Sequence, residues 1–141
     1  MIFTTINFSG DIRGVGVLIL SEGSALKLSK SMLAEMGIED NSDVLDDMKI
    51  SAINEACNLI ISAYVDTLAN FMKTSLNMTP PTFIKGSEKK TMEEIFKECN
   101  TSDNDIILIY KSKLCSQGVG FSFEVLIIMS LDSLNTLFQH I

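Results

Sequence analysis

From about Val44 to Thr74 the chain keeps a helical apolar period longer than in any other segment, so the rest of its 141 residues must pack around that one element. On a wheel of about 100° per residue, Ile53, Cys57, Ile60, Ile61, Tyr64, Leu68 and Phe71 fall on one side and are expected to rest on a sheet. Ser51, Glu55, Asn58, Ser62, Asp66 and Lys73 fall on the other, with Asn70 at its edge. Glu55 and Asn58 are i and i+3 neighbours, so their side chains leave the surface side by side. Every surface helix has a solvated face, and the polar stripe alone assigns no function.

The flanking sequence supplies the sheet. Phe3 to Phe8 alternates apolar and polar as a half-buried strand does, Ser9-Gly10-Asp11 reads as a turn, and Val15 to Leu20 completes a hairpin. Gly14-Val15-Gly16 leads into a strand instead of opening a helix, so it is no phosphate loop. Ser24 to Met36 reads as an amphipathic helix carrying Leu26, Leu28, Met32, Leu33 and Met36, ended by Gly37. Glu39-Asp40-Asn41-Ser42-Asp43 lacks the alternating ligands, central glycine and closing glutamate of an EF-hand. It is expected to be a linker whose carboxylates sit near the positive end of the next helix. Beyond Pro80-Pro81 come a short strand at Thr82 to Lys85 and a short helix at Thr91 to Glu98. Two apolar strands, Asp105 to Lys111 and Gly120 to Met129, join through Ser116-Gln117-Gly118, and Leu131 to His140 closes the chain as a helix. With no repeat or internal linker, residues 1–141 predict one α+β domain, a mainly antiparallel sheet with helices packed over it.

Composition removes several functions. The net charge is −7 and Arg13 is the single arginine, so no basic face is on offer to nucleic acid or to an anionic membrane surface. No apolar run approaches the ~20 residues of a membrane span. Met1-Ile2-Phe3-Thr4-Thr5 has neither a basic start nor a cleavable apolar core, so a cytoplasmic protein is expected. Cys57, Cys99 and Cys115 are odd in number and widely spaced, which predicts reduced thiols and no metal site. His140 is the only histidine and falls in the last turn, and no G-x-S-x-G elbow is present, so a serine or cysteine triad is not expected.

The spacing on the long helix carries more. Ser51, three residues, Glu55, two residues, Asn58, then twenty-two residues and Pro81 resembles the signature of the CheC/CheX/FliY family of chemotaxis phosphatases. The context continues the resemblance in order. Ser9-Gly10-Asp11-Ile12-Arg13-Gly14 precedes an apolar strand and an amphipathic helix, and Ser51-Ala52-Ile53-Asn54-Glu55-Ala56-Cys57-Asn58 follows. Tyr64-Val65, Leu68-Ala69, Pro80-Pro81 and the closing Leu131-Asp132-Ser133-Leu134 extend it, and this last helix fits CheC better than CheX. Three features depart from the pattern. CheC proteins commonly carry two motif helices, and the stretch that would hold the first is not in this sequence. Cys57 stands where a glycine often precedes the asparagine, and Ser62 where another glycine is usual.

The resemblance implies a phosphatase that removes the phosphoryl group from the aspartate of a CheY-like response regulator. Glu55 and Asn58 would then be the catalytic pair, Ser51 and Pro81 would support the motif, and Ser62 and Asp66 would face the partner. The chain would need no cofactor of its own, with Mg2+ belonging to the regulator's acidic pocket. CheX-type relatives have one motif and pair, which implies a homodimer. The alternative is a non-catalytic module that binds the deamidase CheD or a component of the flagellar switch.

Overall fold

The computed structural model describes residues 1–99, 106–115 and 120–140, with the backbone alone for 99 and 106–115. Strand β1 (Ile2–Ser9) turns into β2 (Gly14–Leu20), and the two pair antiparallel with Ile2 opposite Leu20 and Phe8 opposite Gly14. The expected hairpin forms. Two helices follow, α1 (Glu22–Glu35) and α2 (Asp47–Met72), then the short strands β3 (Asn77–Met78) and β4 (Thr82–Lys85). Helix α3 (Glu88–Cys99), strands β5 (Ile106–Cys115) and β6 (Ser122–Ser130) and helix α4 (Leu131–Phe138) complete the order.

All strand pairs are antiparallel and the order is β3-β1-β2-β6-β5, with β4 also on β1. β3 pairs with Phe8 and Ser9, while β4 pairs with Ile2 to Thr5. The two therefore share one edge of β1, and six strands make a sheet five strands wide. β2 is buried along almost its whole length because both of its faces are covered. Leu18 and Leu20 join Ile2, Ile6 and Phe8 in the larger core, with Ile53, Cys57 and Ile61 of α2 over them. Val15, Val17 and Ile19 point the other way, into a smaller core with Phe3, Leu126 and Ile95 of α3. This is the α+β architecture expected, with the sheet layered by α1 and α2 on its main face.

Local chemistry sets the helix ends. Ser21, Asp46 and Ser130 cap α1, α2 and α4, each accepting a hydrogen bond from the backbone N–H three residues on. Asp46 starts α2 later than the expected Val44, because an N-cap residue has extended backbone. Gly37 ends α1 with φ 81, while its N–H and that of Ile38 bond back to Ala34 and Leu33. α3 begins earlier than the expected Thr91, and the two-residue β3 was too short to leave an alternation in the sequence. The turn expected at Ser116-Gln117-Gly118 lies outside the described residues, as do the side chains of Cys99 and Cys115.

One expectation fails on α2. The wheel puts Phe71 on the core face, yet it is 49% exposed. Buried positions run Lys49, Ile53, Cys57, Ile61, Val65 and Ala69, four residues apart, while Ser51, Glu55, Leu59, Ala63, Thr67 and Phe71 form a parallel exposed row. Such a row is inclined about 26° to the helix axis, so the buried face winds around the helix as it crosses the sheet. By the last turns it has left the side a fixed wheel assigns, and Val65, Ala69 and Met72 are buried in place of Phe71. Ile60, Tyr64 and Leu68 are half-buried against the core, flanking the row. The approach is close at Gly16 of β2, where a Cβ would stand 2.5 Å from Ile61 Cγ2. Only glycine lets α2 sit that low.

Candidate functional site

The helix that bears the motif is anchored just ahead of it. Lys49 is 0% exposed, and its ammonium donates to Asp40 Oδ2 at 3.0 Å, Ser42 Oγ at 2.8 Å and the Val44 carbonyl at 2.8 Å. Asp46 Oδ2 lies 3.8 Å away. The carboxylates of the acidic linker, Glu39 to Asp43, are expected near the helix dipole, but the residue that caps α2 is Asp46, outside that stretch. Asp40 instead wraps the buried ammonium, and Asp43 pairs with Lys30 at 2.7 Å. A buried charge needs partners, and these oxygens supply them. The Ser42 backbone N–H, then the Lys49 ammonium, hold the Asp40 carboxyl well below its ordinary range. Lys30 does the same for Asp43.

From this anchor α2 carries Ser51 and Glu55 outward on its exposed row, with Asn58 half-buried beside them. Glu55 and Asn58 stand less than one turn apart, which places carboxylate and carboxamide on one surface. Neither takes part in an ion pair or side-chain hydrogen bond among the described residues, so both heads are available to a partner. Asn58 is less exposed than Glu55, because its row lies between the outer ridge and the buried one. Ser62 continues the Asn58 row, half-buried, with its hydroxyl 3.7 Å from Met78 Sδ of β3. Asp66 is exposed one turn farther on. Pro81, half-buried, leads into β4, which α2 touches, so the proline follows the sheet edge beside the motif helix.

Cys57, between Glu55 and Asn58 in sequence, faces the opposite way. It is fully buried and donates to the Thr4 carbonyl at 3.5 Å, and burial pushes its thiol up to about 12. It stays protonated and is no nucleophile. Among the described residues no group of three or more His, Cys, Asp or Glu gathers as metal ligands. A hollow of about 740 Å³, lined by Asn7, Arg13, Ser130 and Asp132 among others, contains none of the motif residues. It opens on the sheet face opposite α2, since Thr5 and Asn7 alternate with the buried Ile6. Glu55 and Asn58 therefore lie on an open helix face, away from that hollow. Two residues near them went unnoticed in the sequence: Lys49, hidden inside a helical apolar period, and Leu59, an apolar residue that is 61% exposed.

No helix among the described residues is long and apolar enough to cross a membrane. Residues 2–102 match the family described as chemotaxis phosphatase CheX. A candidate CheY-P phosphatase, CheC1, of Halobacterium salinarum is 26% identical over 102 residues, covering 72% of this chain and 49% of that protein. The chain thus spans about half the length of this relative. Among solved structures, FliY of Thermotoga maritima superposes with a TM-score of 0.67 at 18% identity, over 99% of this chain and 69% of that one. CheX of Borrelia burgdorferi, solved in a CheX–CheY–BeF3–Mg2+ complex, gives 0.62 at 20% identity, over 91% and 75%. At such identities the structural likeness speaks for the fold, whereas the family match covers most of the chain and includes Ser51, Glu55, Asn58 and Pro81. The chain belongs to the chemotaxis phosphatase CheX family, within the wider group that joins CheC, CheX and FliY.

Proposed function

We propose that this chain dephosphorylates the aspartyl phosphate of a CheY-like response regulator, with Asn58 orienting the attacking water and Glu55 holding the regulator in register. The observation that carries the reading is the pairing, at i and i+3 on the outer face of α2 in a CheX-family chain, of a carboxylate and a carboxamide that have no side-chain partner among the described residues. An open helix face suits this chemistry. An aspartyl phosphate is already labile, so the helper needs no nucleophile, only a water held in line with phosphorus. Water attacks phosphorus, the P–O bond to the regulator's aspartate breaks, and inorganic phosphate leaves with the carboxylate restored. The Asn58 carboxamide can accept a hydrogen bond from that water while donating another toward the phosphoryl group. Glu55, solvent-exposed, is placed to pair with a lysine of the regulator. In this reading the Mg2+ belongs to the regulator, and Cys57 contributes packing alone.

The test is the decay of a phosphorylated CheY-like regulator with and without this chain, followed by release of inorganic phosphate. Faster decay that Asn58→Ala abolishes supports the reading. Binding of a regulator with no change in its decay would replace it with the interaction-module alternative, in which CheD is the next partner to try.

A further inference from the structure

The outer face of α2 is polar at its motif but apolar around it. Leu59 is 61% exposed and stands directly after Asn58, about 6 Å along the axis from Glu55. Met48, 50% exposed, lies two turns before Glu55 on the same side. Met78 of β3, 37% exposed, reaches the patch from the sheet edge through its contact with Ser62. Three large apolar side chains thus surround Glu55, Asn58 and Ser62, with the charges of Asp47, Glu55 and Asp66 between and beyond them. The one lysine within α2, Lys49, is buried and does not offset that acidity at the surface.

We propose that Met48, Leu59 and Met78 form the apolar docking surface for the regulator, and that Leu59 is its central contact. This rests on the phosphatase reading above. Geometry forces the assignment of an occupant: a body that brings an aspartyl phosphate within hydrogen-bond reach of Asn58 must cover the next residue on the helix. The apolar side chains supply the desolvated contact that an exposed acidic helix lacks, since exposed charge pairs contribute little and are screened by salt. A patch of this kind with acidic neighbours fits a partner surface that is apolar at its centre and basic at its margin.

The experiment measures dephosphorylation kinetics of a phosphorylated CheY-like regulator, and binding of its beryllofluoride–Mg2+ form, with four proteins. Wild type, Leu59→Ser, Asn58→Ala and Phe71→Ser are compared, the last being an exposed apolar position on the same helix but outside the patch. Leu59→Ser should raise KM and Kd about 10-fold with kcat within about twofold, whereas Phe71→Ser should match wild type. Asn58→Ala should lose kcat and keep Kd. If Leu59→Ser binds and turns over as wild type does while Asn58→Ala is inactive, the docking surface is wrong and the phosphatase reading stands. If Leu59→Ser leaves KM unchanged but converts a dimer to a monomer in sedimentation, the patch serves a second copy of the chain and the proposal is overturned. If wild type neither binds nor accelerates decay, the phosphatase reading falls and this inference falls with it.

Discussion

Asn58 is half-buried and its head has no partner among the described residues, so a side chain can be removed there at little structural cost. Asn58→Ala should slow regulator dephosphorylation by about 10²-fold, the scale of losing one positioned hydrogen-bonding group at a reacting centre. Its melting curve should shift by no more than about 1 kcal/mol equivalent, because no hydrogen bond is broken. Glu55→Ala should chiefly weaken complex formation, visible as a higher Kd for the beryllofluoride form, with stability changed by less than about 0.5 kcal/mol. Lys49 behaves in the opposite way. Lys49→Met keeps the buried volume but strands three oxygen acceptors, so it should destabilise the fold by about 2–3 kcal/mol in chemical denaturation. Its effect on kcat should be small if the folded fraction is accounted for. The stripe of polar residue types around Glu55 was readable from sequence spacing, whereas nothing near position 49 announces that its ammonium will be enclosed.

Along α2 the question is which row of side chains meets the sheet. The row Ile53, Cys57, Ile61, Val65 and Ala69 does, and it winds because positions four apart advance about 40° per step on a wheel of about 100° per residue. Val65→Ala should therefore cost about 2 kcal/mol, and Phe71→Ala less than about 0.5, measured by urea unfolding. A fixed wheel predicts the reverse ranking. Gly16→Ala tests the contact from the sheet side: the added methyl meets Ile61, so it should destabilise by about 1–3 kcal/mol, and Ile61→Val in the same protein should recover part of that loss.

At the scale of the whole molecule, acid should loosen the tie between linker and helix. The Asp40 carboxyl is held below its ordinary 3.8 in the folded chain, so its contribution is fully present above about pH 4 and fades as pH falls through and below that value. Asp40→Asn should be less stable than wild type at pH 7, and the difference in melting temperature should shrink toward pH 3. A difference independent of pH would show that the carboxylate's charge does not matter there. Much of this molecule was legible before any coordinates. The β1–β2 hairpin, the helix stop at Gly37 and the adjacency of Glu55 and Asn58 follow from spacings of two to four residues, and such spacings set local geometry wherever the chain goes. Three features were not legible: the exposure of Phe71, the oxygens around Lys49, and the approach of Met78 to Ser62 beside Leu59. Each depends on how an element is inclined, or on which distant strand or loop arrives beside it. Periodicity determined that α2 has a buried face and an open one, but only packing against the sheet, at the depth Gly16 permits, decided where each face runs and what stands next to the motif.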